Sequence, residues 1–168
     1  MNVRLVDIPL HVFEALRDGD AETARDQLGL DIPPDFLAAH DVWTYMSGLR
    51  SDPANVGWTM NAIVRDGVIV GNAGFKGAPA DGEVELGYTV LEAHRRQGIA
   101  VAATRLLVER GEREPTVSRV IAAINPLNTA SIAVVAAAAF VAAPDRIHPR
   151  WGRQLIFAKD VGHTSVPH

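Results

Sequence analysis

Arg95-Arg96-Gln97-Gly98-Ile99-Ala100 joins two segments of sharply different character. Upstream, Val84-Glu85-Leu86-Gly87-Tyr88-Thr89-Val90 is rich in β-branched and aromatic residues and reads as a strand. Downstream, residues 99–113 are built largely from Ala, Leu, Val, Arg and Glu and read as a helix. The chain thus runs from a strand through a short, basic, glycine-bearing loop into a helix. At such a helix start the backbone N–H groups lack partners and the helix dipole adds partial positive charge, so the place suits a phosphate. The spacing excludes two familiar phosphate loops. There is no Gly-x-x-x-x-Gly-Lys-Ser/Thr for a nucleoside triphosphate and no Gly-x-Gly-x-x-Gly for a dinucleotide.

About thirty residues later comes Asn125-Pro126-Leu127-Asn128-Thr129-Ala130-Ser131, which follows a strand-like run over 119–124 and opens another helix. Asn128 suits the N-cap, because its short side chain can accept a backbone N–H two or three residues on. Together, Arg95-x-x-Gly98-x-Ala100 and Asn128-x-x-Ser131 resemble two motifs of the GNAT acetyltransferases. The first is their pyrophosphate loop, Gln/Arg-x-x-Gly-x-Gly/Ala. The second is their Asn-x-x-Asn-x-x-Ser/Ala segment. The resemblance covers roughly residues 3 to 161.

It implies an α/β (α+β) GNAT fold, with a mixed, mostly antiparallel sheet of six to seven strands flanked by about four helices. It implies acetyl-CoA as the acyl donor, with Arg95, Arg96, Gln97, Gly98, Ile99 and Ala100 around the pyrophosphate. Thr89, Val90, Asn128 and Ser131 complete the cofactor set, the Val90 backbone and Asn128 serving the pantetheine arm. The reaction implied is direct transfer of acetyl to a primary amine in a ternary complex. A backbone N–H near Val90 would face the oxyanion. The chain has no cysteine, which excludes a thiol acyl-enzyme, a disulfide framework and a Cys-ligated zinc.

A primary amine is mostly protonated at neutral pH and must lose a proton to react. Glu85 is the candidate base, because relatives often carry a Glu on this strand. Period-two alternation puts Glu83, Glu85 and Gly87 on one face, opposite Val84, Leu86 and Tyr88, so Glu83 competes for the role. Val135 stands where many relatives place a Tyr that protonates the leaving thiolate; a thiol's pKa of about 8.5 means the thiolate needs little help, and Ser131, Tyr88 or solvent are the alternatives that replace it. Ala139 stands where they place a Gly, which would relieve a left-handed helix end. The missing Tyr and the Glu-Leu-Gly-Tyr run resemble the branch of ribosomal-protein N-terminal acetyltransferases, hence a peptide N-terminus or a small amine as acceptor. The missing Tyr also keeps open a non-catalytic acyl-CoA-binding regulatory module of the same fold.

The bulk properties are those of an ordinary globular domain. The 168 residues carry 48% hydrophobic and 21% charged side chains with a net charge of −4. That balance argues against a nucleic-acid partner. The six His are scattered without a His-x-x-x-His pair, so no metal is expected. The uncharged stretch 125–144 is too short in its apolar part for a membrane span and reads as a buried helix over 132–143. The N-terminal residues show no secretory signal, so a cytoplasmic setting is expected, with no membrane partner, as a monomer or homodimer. One domain over 1–162 and a disordered tail over 163–168 are expected.

Along the chain, strands are predicted at 3–6, 58–65, 68–75, 83–90, 119–124 and 153–159, with Asp66-Gly67 marking a two-residue hairpin. Helices are predicted at 9–17, 21–28, 34–49 and 99–113 and after Asn128. Phe36, Leu37, His40, Trp43, Tyr45 and Met46 give the 34–49 segment an aromatic face, read as packing rather than as an acceptor pocket. Trp58 and Trp151 are likewise read as packing, and His94 and His148 as bystanders.

Overall fold

The computed structural model describes residues 1–162, with backbone alone for His40 and Asp41, so the expected tail over 163–168 lies outside the described residues. Seven strands form one sheet: β1 (Val3–Asp7), β2 (Asn61–Arg65), β3 (Val68–Phe75), β4 (Glu83–Val90), β5 (Arg119–Ile124), β6 (Val141–His148) and β7 (Gly152–Asp160). Their spatial order is β1-β2-β3-β4-β5-β7-β6. β4 and β5 run parallel and every other neighbouring pair is antiparallel. Among the described residues six α-helices accompany them: α1 (Leu10–Arg17), α2 (Ala21–Leu28), α3 (Pro34–Leu37), α4 (His40–Ser51), α5 (Ile99–Arg113) and α6 (Thr129–Ala137).

The hairpin signal at Asp66-Gly67 is realised as a two-residue turn, with φ of 51° and 83° joining Arg65 to its partner Val68. Both positive φ values match a type I′ turn, whose twist suits the flanking strands. Burial in β3 and β4 follows from their composition. Val84 and Leu86 alternate inward with Val70, Ala73 and Phe75, against Ile99, Ala103 and Leu107 of α5 and Val135 of α6. On the opposite face, Ala62, Val64 and Ile69 pack with Val12, Phe13, Leu16, Phe36 and Trp43 from the N-terminal helices. Each large side chain buried in these layers contributes about 1.5–3 kcal/mol. Gly71 lets β3 lie tight against β4, since a Cβ there would sit 2.1 Å from the Thr89 carbonyl oxygen.

Three sequence readings are corrected. First, residues 34–49 are two helices, α3 and α4, which turns the five helices predicted along the chain into six. The Trp43 indole Nε1 donates to the Phe36 carbonyl at 2.8 Å, and the two rings lie 4.6 Å apart. Burying both aromatics in one cluster sets the break at Ala38-Ala39, where no local breaker stands. Phe36, Trp43 and Met46 are core, whereas Tyr45 is exposed. Second, the second strand starts at Asn61 rather than at 58; the Trp58 ring packs on Phe75 instead.

Third, the uncharged stretch is not one helix. α6 stops at Ala137, and β6 follows, which the sequence reading missed. The stop is a Schellman arrangement: the Phe140 N–H donates to the Val135 carbonyl and the Ala139 N–H to the Ala136 carbonyl, both at 3.0 Å. Phe140 thereby enters the core. Arg105 and Lys159 donate to the carbonyls of Ala137 and Ala138, each at 3.1 Å, and so satisfy the helix end with positive charge. Ala139 takes the left-handed conformation, with φ of 63°. Ala139→Gly relieves that conformation and is expected to stabilise the fold by about 1 kcal/mol. Urea unfolding of the variant beside wild type measures this, and an unchanged or lower midpoint contradicts it.

Candidate active site

β4 and β5 are neighbours over only a short ladder: Glu83 with Arg119, Val84 with Val120 and Glu85 with Ile121. Beyond Glu85 their pairing ends and the strands diverge. On its other side β4 stays paired with β3 up to Val90. The Leu91 N–H donates to the Val70 carbonyl at 2.9 Å, and the Lys76 N–H to the Glu85 carbonyl at 2.8 Å. Odd-numbered residues of this strand thus turn their main chain to β3. Alternation turns the main chain of Tyr88 and Val90 toward the gap, where β5 supplies no partner. The Val90 carbonyl accepts from Arg95 Nε at 3.1 Å, which leaves the Tyr88 and Val90 N–H groups facing the opening.

The gap is a cavity of about 690 Å³. Its walls are Tyr88, Thr89 and Val90 of β4, the loop to α5, the first turn of α5, and Asn128, Ala130, Ser131 and Val134 of α6. At its mouth Gly98 is the N-cap of α5, with φ of 75°, and no side chain caps this helix. Arg96 also takes a positive φ, 59°. The Ala102 N–H is bonded back to Gly98, so Gly98, Ile99, Ala100 and Val101 present the four N–H groups that an uncapped helix leaves open. No acidic residue lies in that first turn, and Arg95 and Arg96 lie beside it. The place is positive by dipole and by side chain.

Most sequence-predicted cofactor residues meet around this cavity: Thr89, Val90, Arg95, Arg96, Gly98, Ile99, Ala100, Asn128 and Ser131 all line it. Gln97 does not; its side chain accepts from Arg65 Nη1 and donates to the Ala93 carbonyl, on the outside of the loop. Asn128 caps α6, its Oδ1 accepting from the Ser131 N–H at 3.1 Å. Val135 is fully buried in the core, whereas Val134 lines the cavity. Tyr88 lines it too, with its hydroxyl 3.5 Å from the Ser131 carbonyl. Burial pushes the Tyr88 phenol above its ordinary pKa, and the contact with Ser131 opposes this only partly.

Glu85 lies on the other face of β4, away from Tyr88 and outside the cavity lining. Both of its oxygens are held. Lys76 Nζ lies 2.6 Å from Oε1, and both terminal nitrogens of Arg146 lie 3.1 Å from Oε2. Arg146 also donates to Gln154 Oε1, from Nε at 3.1 Å and from Nη2 at 2.9 Å. The Glu85 side chain is only 18% exposed. This network ties β3, β4 and the β6–β7 hairpin together. Sequence reading missed Lys76, Arg146 and Gln154, because Arg146 lies on the unrecognised strand; the directly opposed Lys76–Glu85 pair follows from the β3–β4 register. Glu83 is half-buried at the start of β4.

No curated protein matches this chain in sequence. Solved structures share its fold at low identity. RimL, a ribosomal L7/L12 alpha-N-protein acetyltransferase in complex with coenzyme A, superimposes with a TM-score of 0.69 at 16% identity, over 96% of this chain and 95% of that one. Aminoglycoside acetyltransferase AAC(6')-Ib with coenzyme A gives 0.67 at 20% identity, over 95% of each chain. RimJ of Mycobacterium smegmatis, in complex with CoA-disulfide, gives 0.67 at 22% identity, over 99% of this chain and 84% of that one. The model of the acetyltransferase (GNAT) domain matches residues 7–141. A sheet opened beside an uncapped helix start and a family match over most of its length lead to one conclusion: this chain belongs to the GNAT acetyltransferase domain family.

Proposed function

We propose that this chain transfers the acetyl group of acetyl-CoA to a primary amine, and that the cavity between β4 and β5 holds the donor. The observation that carries this reading is the uncapped start of α5 opening onto that cavity, flanked by Arg95 and Arg96. The N–H groups of Gly98, Ile99, Ala100 and Val101 bind the pyrophosphate, and the two arginines neutralise it. The free main-chain edge of β4 at Tyr88 and Val90 pairs with the amides of the pantetheine arm as a further strand would. Asn128 keeps its Oδ1 for the helix cap and offers its amide N–H groups to the same arm. A β4 N–H facing the gap stabilises the oxyanion. No step requires a covalent acyl-enzyme.

Glu85 serves the acceptor side. Its anion, fixed by Lys76 and Arg146, draws the incoming ammonium and takes its proton directly or through water. A second reading is favoured by the occupation of both Glu85 oxygens: the carboxylate anchors the β6–β7 hairpin against β4 and moves no proton. The Glu-Leu-Gly-Tyr run and the likeness to RimL and RimJ favour a peptide N-terminus as acceptor. The likeness to AAC(6')-Ib keeps a small-molecule amine beside it. No helix among the described residues is long and apolar enough to cross a membrane.

Thermal shift with coenzyme A tests the donor site. A ligand at a hundredfold excess over its Kd stabilises by about 2.7 kcal/mol, so a clear rise in Tm is expected. Gly98→Ala forces a side chain into a left-handed backbone and is expected to weaken coenzyme A binding at least about tenfold, at a cost near 1 kcal/mol in stability. Equal affinity in the variant, measured by calorimetry, removes the loop from the donor site. For the acceptor side, Glu85→Gln is expected to lower kcat at least about tenfold at neutral pH. If Glu85 is the base, raising the pH deprotonates the amine beforehand and restores the rate. If it is an anchor, the loss persists at every pH and Arg146→Ala reproduces it.

A further inference from the structure

We infer that Tyr88 gives the leaving thiolate its proton, a role resting on the acetyl-transfer reading of the cavity. When the acceptor nitrogen bonds to the acetyl carbon, the carbon–sulfur bond breaks and its electron pair goes to sulfur. A hydrogen-bond donor within the cavity stabilises that thiolate and can hand it a proton. Composition and topology leave few groups for the task. The chain has no cysteine and two tyrosines, Tyr45 and Tyr88. Tyr45 is exposed on α4, in the layer on the opposite face of the sheet from α5 and α6. His94, Arg95 and Arg96 line the cavity from the loop that leads into α5, at the end where the diphosphate binds, so the His94 imidazole belongs to the phosphate end rather than to the sulfur.

Tyr88 stands at the other end. It lies two residues, about 7 Å, up β4 from Val90 and away from the phosphate loop. Its ring shares the cavity wall with Ser131 and Val134 of α6, and its hydroxyl meets the Ser131 carbonyl at 3.5 Å. That distance is the long limit of a hydrogen bond, so the hydroxyl can turn to a stronger acceptor such as a thiolate. Ser131 shares the wall, but an aliphatic hydroxyl is a far weaker acid than a phenol, and Val134 and Val135 carry no transferable proton. Burial raises the phenol's pKa and so favours its protonated form. In the balanced step the O–H proton goes to sulfur, giving free coenzyme A thiol. The new amide loses its extra N–H proton to base or water, and the phenolate is reprotonated from solvent.

The test compares Tyr88→Phe with wild type, using acetyl-CoA and the best amine from a panel read by thiol release. Expected are a fall in kcat of about a hundredfold and a coenzyme A Kd within twofold of wild type by calorimetry. The Kd also certifies that the variant is folded. A second measurement separates proton donation from packing. In a Tyr45→Phe background, biosynthetic replacement of the single remaining tyrosine by 3-fluorotyrosine makes the phenol more acidic. The alkaline limb of kcat is then expected to move to lower pH. A Tyr88→Phe kcat within twofold of wild type, or an alkaline limb that fluorination does not move, overturns the Tyr88 assignment while leaving acetyl transfer intact. A wild-type chain that binds no coenzyme A, or releases no thiol with any amine, overturns the acetyl-transfer reading and this assignment with it.

Discussion

The molecule is organised around a parallel pairing that is cut short. Three residue pairs hold β4 to β5, and beyond Glu85 the two strands part. Main-chain groups left without partners inside a protein cost about 1–3 kcal/mol each when dry, so a sheet does not open without reason. Here the opening is a concave cavity, and α5 begins at its mouth with four N–H groups that no helical partner satisfies. Two sets of unpaired backbone donors, one from a strand edge and one from a helix start, face a single cavity. A ligand with a diphosphate at one end and amides along an extended arm satisfies both sets at once.

The rest of the fold holds that opening rigid. α5 packs on β3, β4 and β5 through Ile99, Ala103 and Leu107, which fixes its first turn relative to the β4 edge. α6 forms the facing wall and is held at its end by Arg105 from α5 and Lys159 from β7. The left-handed Ala139 lets the chain reverse and brings β6 to the sheet edge, where Arg146 reaches back to Glu85. On the other face, the buried Arg50 pins α4 to the first strands: its Nη2 lies 2.9 Å from each Asp7 oxygen, and its Nη1 3.2 Å from Thr59 Oγ1. Both walls of the cleft are thereby tied to elements distant in sequence.

What could be read from the chain follows the range of the interactions involved. The bounds of β3, β4, α5 and β5 were legible because alternation, turn residues and helix composition are local signals that agree with one another. The cofactor loop was legible for the same reason: a glycine, a helix start and flanking arginines lie within six residues. The break between α3 and α4 was not, because it is set by Trp43 bonding back to Phe36 within the core rather than by a local breaker. β6 escaped because Ala142, Ala143 and Pro144 mute the alternation of an edge strand. The Lys76–Glu85–Arg146 network escaped with it, since Arg146 is separated from Glu85 by 61 residues and meets it only through the sheet order.

This division matters for chemistry. Donor binding relies largely on main-chain atoms, so it is specified by geometry that many sequences can encode. That is consistent with coenzyme A-bound folds matching this one at only 16–22% identity. Proton movement relies on side chains, and those can migrate. A phenol is useful wherever its oxygen reaches the sulfur, whether it comes from a helix or from the adjacent strand. A chain with valine at the helix position and tyrosine on β4 changes the donor's address without changing the cavity. The acceptor face is freer still. The half-buried Glu85 is held by Lys76, just past the end of β3, and by Arg146 of β6, and neither β6 nor β7 lines the cavity that the diphosphate loop borders. The capacity for acyl transfer thus rests on the strand opening, which β3, β4, α5 and α6 build without the β6–β7 hairpin.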